Sequence, residues 1–301
     1  MTSEASSARG KLSSPKALLD QHDLRPKHSF GQNFLCEERH AERIAALAAP
    51  SGGERVLEIG AGLGALTDKL LARGCSVVAI ERDRDLLPIL AGQFEADTKS
   101  GALRIVEADA KSADWSELFG DHPRRVLAGN LPYQITGPLL RRTVSLASAI
   151  ERAVYLVQKE VADRLVASPG TGEYGALSVF SQAAFTIERA FVIRPGSFYP
   201  VPRVDSAVVV LSPLGERIST ETPQFRAVVK LAFATRRKTL RNAWRGLGLG
   251  PALESIAEQA GVSLDARGET LGVAQFARVA QALVELSPEA DLSPAVAEDD
   301  A

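Results

Sequence analysis

The sequence predicts an open, doubly wound α/β sheet followed by a small all-helical domain. Three observations predict it. Short aliphatic runs alternate with amphipathic stretches between Arg55 and about Leu211, a glycine-rich turn directly follows the first run, and only helical patterns remain beyond about residue 217. Strands alternating with helices imply a largely parallel sheet with helices on both faces.

Residues 1–21 are rich in Ser, Ala and Lys and lack periodicity, so they are expected to form a flexible leader. The runs at 55–59, 76–80, 103–106, 125–128 and 153–157 are aliphatic or β-branched and suit buried parallel strands. Helical patterns lie between them at 65–72, 83–94 and 135–146. Two further strands at 185–193 and 206–211, with no long helix between them, fit an antiparallel hairpin at one sheet edge. Ser212-Pro213-Leu214-Gly215 closes this domain, giving bounds of 22–216. From Pro223 the pattern is helical, broken at 246–250 and at Arg267-Gly268, which sets a second domain at 217–286. Residues 287–301 read as an acidic tail.

The composition, 45% hydrophobic and 24% charged over 301 residues, is that of a soluble globular protein. No apolar run approaches the roughly 18 residues that cross a bilayer. The first residues carry no apolar signal core, so a cytoplasmic protein is expected. Cys36 and Cys75 stand far apart, as in a reduced protein. His22, His28, His40 and His122 have no ligand spacing with them, and no metal site is expected. A net charge of −2 hides its distribution. Between Thr222 and Leu253 there is no acidic residue, yet Arg226, Lys230, Arg236, Arg237, Lys238, Arg241 and Arg245 all fall there. A phosphate backbone responds to charge within a Debye length of about 8–10 Å, not to the sum.

The turn Gly60-Ala61-Gly62-Leu63-Gly64-Ala65 links the first strand to the next helix. Glycines there let the backbone turn sharply and approach a ligand under a helix N-terminus. Gly60, Gly62 and Ala65 also satisfy the loose dinucleotide fingerprint, so a nicotinamide or flavin enzyme stays open on this turn alone, as does a merely structural turn. Glu81 ends the second strand, about 20 residues on, where a carboxylate can accept from both ribose hydroxyls. Asp109 ends the third strand, placed to reach an adenine amine. Glu58, just before the glycines, would repel a pyrophosphate but suits a cationic sulfonium, which favours S-adenosyl-L-methionine.

Asn130-Leu131-Pro132-Tyr133 follows the fourth strand, at the carboxyl edge where open α/β sheets place ligands. An exocyclic adenine amine is a poor nucleophile because its lone pair is delocalised into the ring. The Asn130 side-chain oxygen and a main-chain carbonyl at Leu131 or Pro132 can each accept one N–H, which holds the nitrogen nearer tetrahedral. Tyr133 can stack on the base, an interaction of roughly 1–3 kcal/mol. Phe198, on the proline-stiffened Phe198-Tyr199-Pro200-Val201-Pro202 loop, is expected on the other face of the base. A strand-end turn with a packed tyrosine, and a hydrophobic plug at Phe198, are the plainer alternatives.

Together these residues resemble the KsgA/RsmA/Dim family of ribosomal RNA adenine N6,N6-dimethyltransferases. The resemblance spans about residues 25–286 and extends to Ser29-Phe-Gly-Gln-Asn-Phe-Leu35, Val157-Gln-Lys-Glu-Val-Ala-Asp-Arg-Leu165, Tyr174-Gly-Ala-Leu-Ser178, Val201-Pro-Arg-Val-Asp-Ser206 and Phe233-Ala-Thr-Arg-Arg-Lys-Thr-Leu-Arg-Asn242. Many members carry Pro at Ala61 and Lys at Arg203. The resemblance implies a Rossmann-like S-adenosylmethionine-dependent methyltransferase domain. Its implied reaction is two successive methylations on each of two adjacent adenines, in a hairpin loop near the 3′ end of 16S rRNA in the small ribosomal subunit. It implies cofactor contacts at Asn33, Leu35, Gly60, Glu81, Asp109 and Asn130, a Gln-Asn-Phe-Leu segment lying over the cofactor, and a role in ribosome biogenesis. A monomer is the expected state. Arg236, Arg237, Lys238 and Arg241 are expected to grip RNA phosphates, with a solvated helix face as the alternative. Rival readings are a large-subunit rRNA adenine methyltransferase of the macrolide-resistance type, a non-catalytic small-subunit assembly factor, and a nicotinamide-dependent dehydrogenase.

Overall fold

The computed structural model describes residues 12–235, 237–288 and 292. The chain divides into two compact units. One is the chain up to Ala162 with Glu188–Pro213, and the other is Asp163–Ile187 with the chain from Leu214 onward. Nine strands are present among the described residues: β1 (Phe34–Leu35), β2 (Arg55–Ile59), β3 (Ser76–Glu81), β4 (Leu103–Glu107), β5 (Arg125–Asn130), β6 (Arg152–Gln158), β7 (Phe185–Ile193), β8 (Phe198–Tyr199) and β9 (Ser206–Pro213).

Seven of them form one sheet in the order β4-β3-β2-β5-β6-β9-β7. β2 to β6 pair in parallel, and β9 runs antiparallel to β6. The central strands are continuous apolar runs because both faces of a parallel sheet are covered. Val56, Leu57, Val77, Val78, Val126 and Val154 are accordingly buried. From β2 the chain winds outward through β3 to β4, then returns to lay β5 on the other side of β2. The strand order therefore reverses between β2 and β5, and ligands of open α/β sheets bind outside the carboxyl ends at such a point. The close β2–β5 approach needs Gly129, where a Cβ would run into the carbonyl oxygen of Ile59. The helix Ala65–Ala72 starts after Gly64, whose φ is +83° and whose Cβ would strike the Phe94 ring.

The stretch expected to be a flexible leader is structured from Pro15 to Gln21. Pro15–Gln21 is a helix, capped by the Ser14 side chain accepting from the Ala17 N–H at 3.2 Å, with Pro15, Leu18 and Leu19 buried. One short helix carries too few turns for its periodicity to emerge from a Ser- and Lys-rich background. Residues 1–11 and, in the tail, 289–291 and 293–301 lie outside the described residues.

The second unit takes in more chain than the helical region beyond residue 217. Asp163–Ile187 belongs to it as well. Its core brings Tyr174 and Val179 together with Phe225, Val228, Trp244 and Phe276. The helix Pro223–Ala234 begins with Pro at its first turn and the Thr222 hydroxyl accepting from the Phe225 N–H at 3.2 Å. Trp244 is fully buried and donates its indole N–H to the Val228 carbonyl at 2.9 Å. Among the described residues no helix is long and apolar enough to cross a membrane, and no cluster of His, Cys, Asp or Glu could hold a metal.

Candidate active site

A cleft opens at the carboxyl ends of β2, β3 and β5. It is lined by Gly60 and Gly62 from the turn, by Glu81 and Asp109, by Asn130 to Ile135, and by the strap Ser29–Phe34. Parallel register brings these groups to one edge: Glu81 pairs with Glu107 and Asn130 with Leu156, one step past the end of β2. Gly60 has φ +74° and Gly62 φ +57°, conformations that favour glycine. Their backbone forms a bare floor, with the Phe34 ring packed 3.2 Å from where a Gly62 Cβ would be.

Glu81 is nearly buried and accepts from the Gly62 N–H at 2.8 Å and the Asp83 N–H at 2.7 Å. Burial pushes its carboxyl above the usual range, and these backbone donors pull the other way. Each oxygen keeps a lone pair for a ligand hydroxyl. Asp109 accepts from the Lys111 N–H at 2.9 Å and pairs with Arg82 at 3.2 Å. Glu58 lies under the turn, 1% exposed, with the Thr67 hydroxyl donating to it at 2.6 Å. Burial first, and the charge of Glu81 second among the raising influences, lift its carboxyl to about 8.

Asn130 ends β5 with its side-chain amide already oriented. Nδ2 donates to the Asn33 carbonyl at 2.8 Å, so the opposite end of the amide, Oδ1, is the acceptor left for a ligand. Of the two candidate main-chain acceptors, Pro132 takes the Ile135 N–H at 3.1 Å and the Thr136 hydroxyl at 3.0 Å. That leaves Leu131 as the better placed carbonyl. Tyr133 lines the cleft, its hydroxyl 2.8 Å from the Ser206 Oγ, and burial raises its phenol above the ordinary value.

Two expected site residues are placed elsewhere. Phe198 is 2% exposed and packs in the sheet core, where β8 pairs antiparallel with β1 as Leu35↔Phe198. It therefore forms no sandwich with Tyr133 here; pairing within a two-stranded ribbon, which two residues of sequence do not announce, turns it inward. Leu35 lines a smaller adjoining cavity with Glu58 and Asn130, beneath the turn. Of the basic residues, Arg237 and Lys238 are exposed, and Arg236 lies outside the described residues. Arg241 is not an open cation: it pairs with Glu254 at 2.7 Å and Asp265 at 3.7 Å.

Residue-level reading missed Gln32 and Asp83. Gln32 lines the cleft and donates to Asp83 at 2.7 Å. Phe30 also lines it, flanked by Lys27 at 5.4 Å and Arg82 at 5.1 Å from its ring centre. The only signal for Phe30 and Gln32 was the unusual Ser29-to-Leu35 segment, whose place in space no periodicity reveals, and nothing in the sequence marked Asp83 as its partner.

The family model described as ribosomal RNA adenine dimethylase matches residues 24–285. The chain belongs to the ribosomal RNA adenine dimethylase family. Among curated members it is 43% identical to the ribosomal RNA small subunit methyltransferase A of Anaeromyxobacter sp. (strain K), over 90% of this chain and 98% of that protein. It is 41% identical to the protein of the same name from Geobacter sulfurreducens, over 87% and 96%. Among solved structures, a dimethyladenosine transferase from Plasmodium falciparum superposes with TM-score 0.71 at 22% identity, over 84% of this chain and 98% of that one. The 23S rRNA methyltransferase ErmE superposes with TM-score 0.60 at 27% identity, over 83% and 99%. The dimethylase family thus accounts for nearly all of the described chain, the helical unit included.

Proposed function

We propose that this chain uses S-adenosylmethionine to dimethylate the N6 amines of two adjacent adenines near the 3′ end of 16S rRNA in the small ribosomal subunit. The observation that carries the reading is Asn130: its amide nitrogen is engaged by the Asn33 carbonyl, which leaves Oδ1 as the acceptor for a target amine. The names of the curated relatives point to the small subunit as substrate.

The cleft fits the methyl donor. Its floor is glycine backbone, and a buried carboxylate ends β3 beside it. The donor supplies an electrophilic methyl group on a cationic sulfur. Glu81 would hold the ribose hydroxyls, Asp109 the donor's adenine amine, and Gly60 the backbone approach. Asn33 lines the cleft, whereas Leu35, beneath the turn, would act only through the wall of the adjoining cavity. Asn130 Oδ1 and the Leu131 carbonyl accept the two N–H bonds of the target amine and aim its lone pair, so that positioning and electrostatics replace a strong base. Pro132 stiffens that segment, and Tyr133 offers a face for stacking. An adenine in a duplex cannot reach these acceptors, so the target must be unpaired or extruded.

Exposed Arg237 and Lys238 support phosphate contacts by the helical unit, and Arg241, in surface pairs with Glu254 and Asp265, would have to exchange those partners to join them. A cytoplasmic monomer acting on the small subunit or its precursor, in ribosome biogenesis, completes the reading. Methyl transfer to undermethylated small subunits and, in parallel, to large-subunit RNA tests it. N6,N6-dimethyladenosine only on the small subunit supports it. Label on large-subunit RNA alone would replace it with the ErmE-like reaction, and binding without label would replace it with an assembly role.

A further inference from the structure

We propose that Asp83 and Gln32 form a latch that orients the Asn130 amide, which makes both of them positioning residues for methyl transfer. The inference rests on the function proposed above. Asp83 follows β3 by two residues and is 2% exposed. One carboxylate oxygen accepts from Gln32 Nε2 at 2.7 Å; the other accepts from the Asp85 N–H at 3.1 Å and pairs with Lys27. The other end of the Gln32 amide, Oε1, accepts from the Lys27 N–H at 2.7 Å. Gln32 is therefore held at both ends of its amide. The next residue, Asn33, supplies the carbonyl that takes Asn130 Nδ2. Gly31, with φ +61°, turns the strap tightly, and the Asn33 side chain donates to its carbonyl at 3.1 Å.

Three consecutive links thus run from Asp83 to Gln32, from Gln32 along one peptide bond to Asn33, and from Asn33 to Asn130. The Asp83 N–H also donates to Glu81, so the latch starts on the wall assigned to the ribose. Without a fixed carbonyl at Asn33, the Asn130 side chain can rotate and exchange its oxygen for its nitrogen. A donor would then face the amine that needs an acceptor. A plain surface ion pair would stabilise little. Here the carboxylate is buried and its partner at one oxygen is a neutral amide, an arrangement that fixes direction as well as distance.

The roles of the two side chains can be exchanged. Asp83→Asn places an NH2 either against Gln32 Nε2 or against the Asp85 N–H and Lys27, and Gln32→Glu sets carboxylate against carboxylate. In the double variant the new amide at position 83 would donate to the new carboxylate at position 32, while its oxygen accepts from Lys27. That restores the latch with reversed polarity. Gln32→Met, apolar and of similar size on a partly exposed strap, removes the link without a new charge. The expected result is a kcat at saturating S-adenosylmethionine lowered roughly tenfold or more in each single variant. The double variant should return to within about threefold, because coupled residues depart from additivity. In NMR spectra of the protein alone, the Asn130 side-chain NH2 signals should move in the single variants and return in the double. Wild-type kcat in the single variants at saturating donor would overturn the proposal, even if donor affinity fell, since the strap would then be a cover only. A double variant as impaired as the two singles combined would overturn it too. If the wild type itself transfers no methyl group to small subunits, the function reading fails first. The NMR signals then decide the latch alone, and their staying unmoved overturns it.

Discussion

Asn130 can offer an acceptor to a substrate amine because its amide nitrogen is engaged by the Asn33 carbonyl, which leaves Oδ1 free of that role. Asn130→Ala is therefore expected to reduce methyl transfer by about 100-fold or more while leaving donor affinity within a few-fold, measured by turnover and by calorimetry. Glu81→Ala should do the reverse, weakening the donor first, since its carboxylate also orders Gly62 and the residue after Arg82. Glu58 offers a pH signature. Its folded carboxyl is lifted by burial from the ordinary 4.5 to about 8. Between those values the unfolded chain has released the proton and the folded one retains it, so this group's contribution to stability falls as pH rises. Below about 4.5 both states are protonated and the effect vanishes. Glu58→Gln imitates the neutral acid beside Thr67. Its melting temperature should gain on the wild type as pH is raised from about 5 to about 8, and parallel curves would contradict the assignment.

At the scale of elements, the strands were legible because fully buried parallel strands leave unbroken apolar runs. β2, β7 and the helix Ala65–Ala72 have the bounds that their patterns suggest. The helix Pro15–Gln21 was hidden by its length, and the β1–β8 ribbon by having two residues a side. That ribbon decides the fate of Phe198, which explains why a motif could be recognised while the direction of its aromatic side chain could not. Asn130, Glu81 and Asp109 were legible because strand ends at a switch point are where chemistry collects. Gln32 and Asp83 were not, since they meet across 51 residues through side chains alone. For the basic segment, replacing Arg237 and Lys238 with Ala should weaken small-subunit binding. The slope of log affinity against log salt should fall by about 0.7 for each phosphate that is no longer neutralised. Arg241→Ala should change stability by no more than about 1 kcal/mol, because its partners Glu254 and Asp265 are solvent-exposed.

The whole molecule is less modular than its composition suggests. A helical domain appended at residue 217 would be a separable appendix, but the second unit interleaves with the first along the chain. Asp163–Ile187 places Tyr174, Val179 and Ala183 in a core completed by residues beyond Leu214. A chain ending at Pro213 should therefore leave that apolar surface uncovered and bind hydrophobic dyes or aggregate, even though every strand of the sheet is present. During synthesis the ribosome delivers the whole sheet first, while Asp163–Ile187 waits for partners up to about a hundred residues downstream. Any premature stop between Pro213 and the helix Val273–Leu286 yields a chain with its cleft residues encoded and its second core exposed. Such a fragment would carry the whole cleft lining yet be marked for proteolysis by that exposed surface.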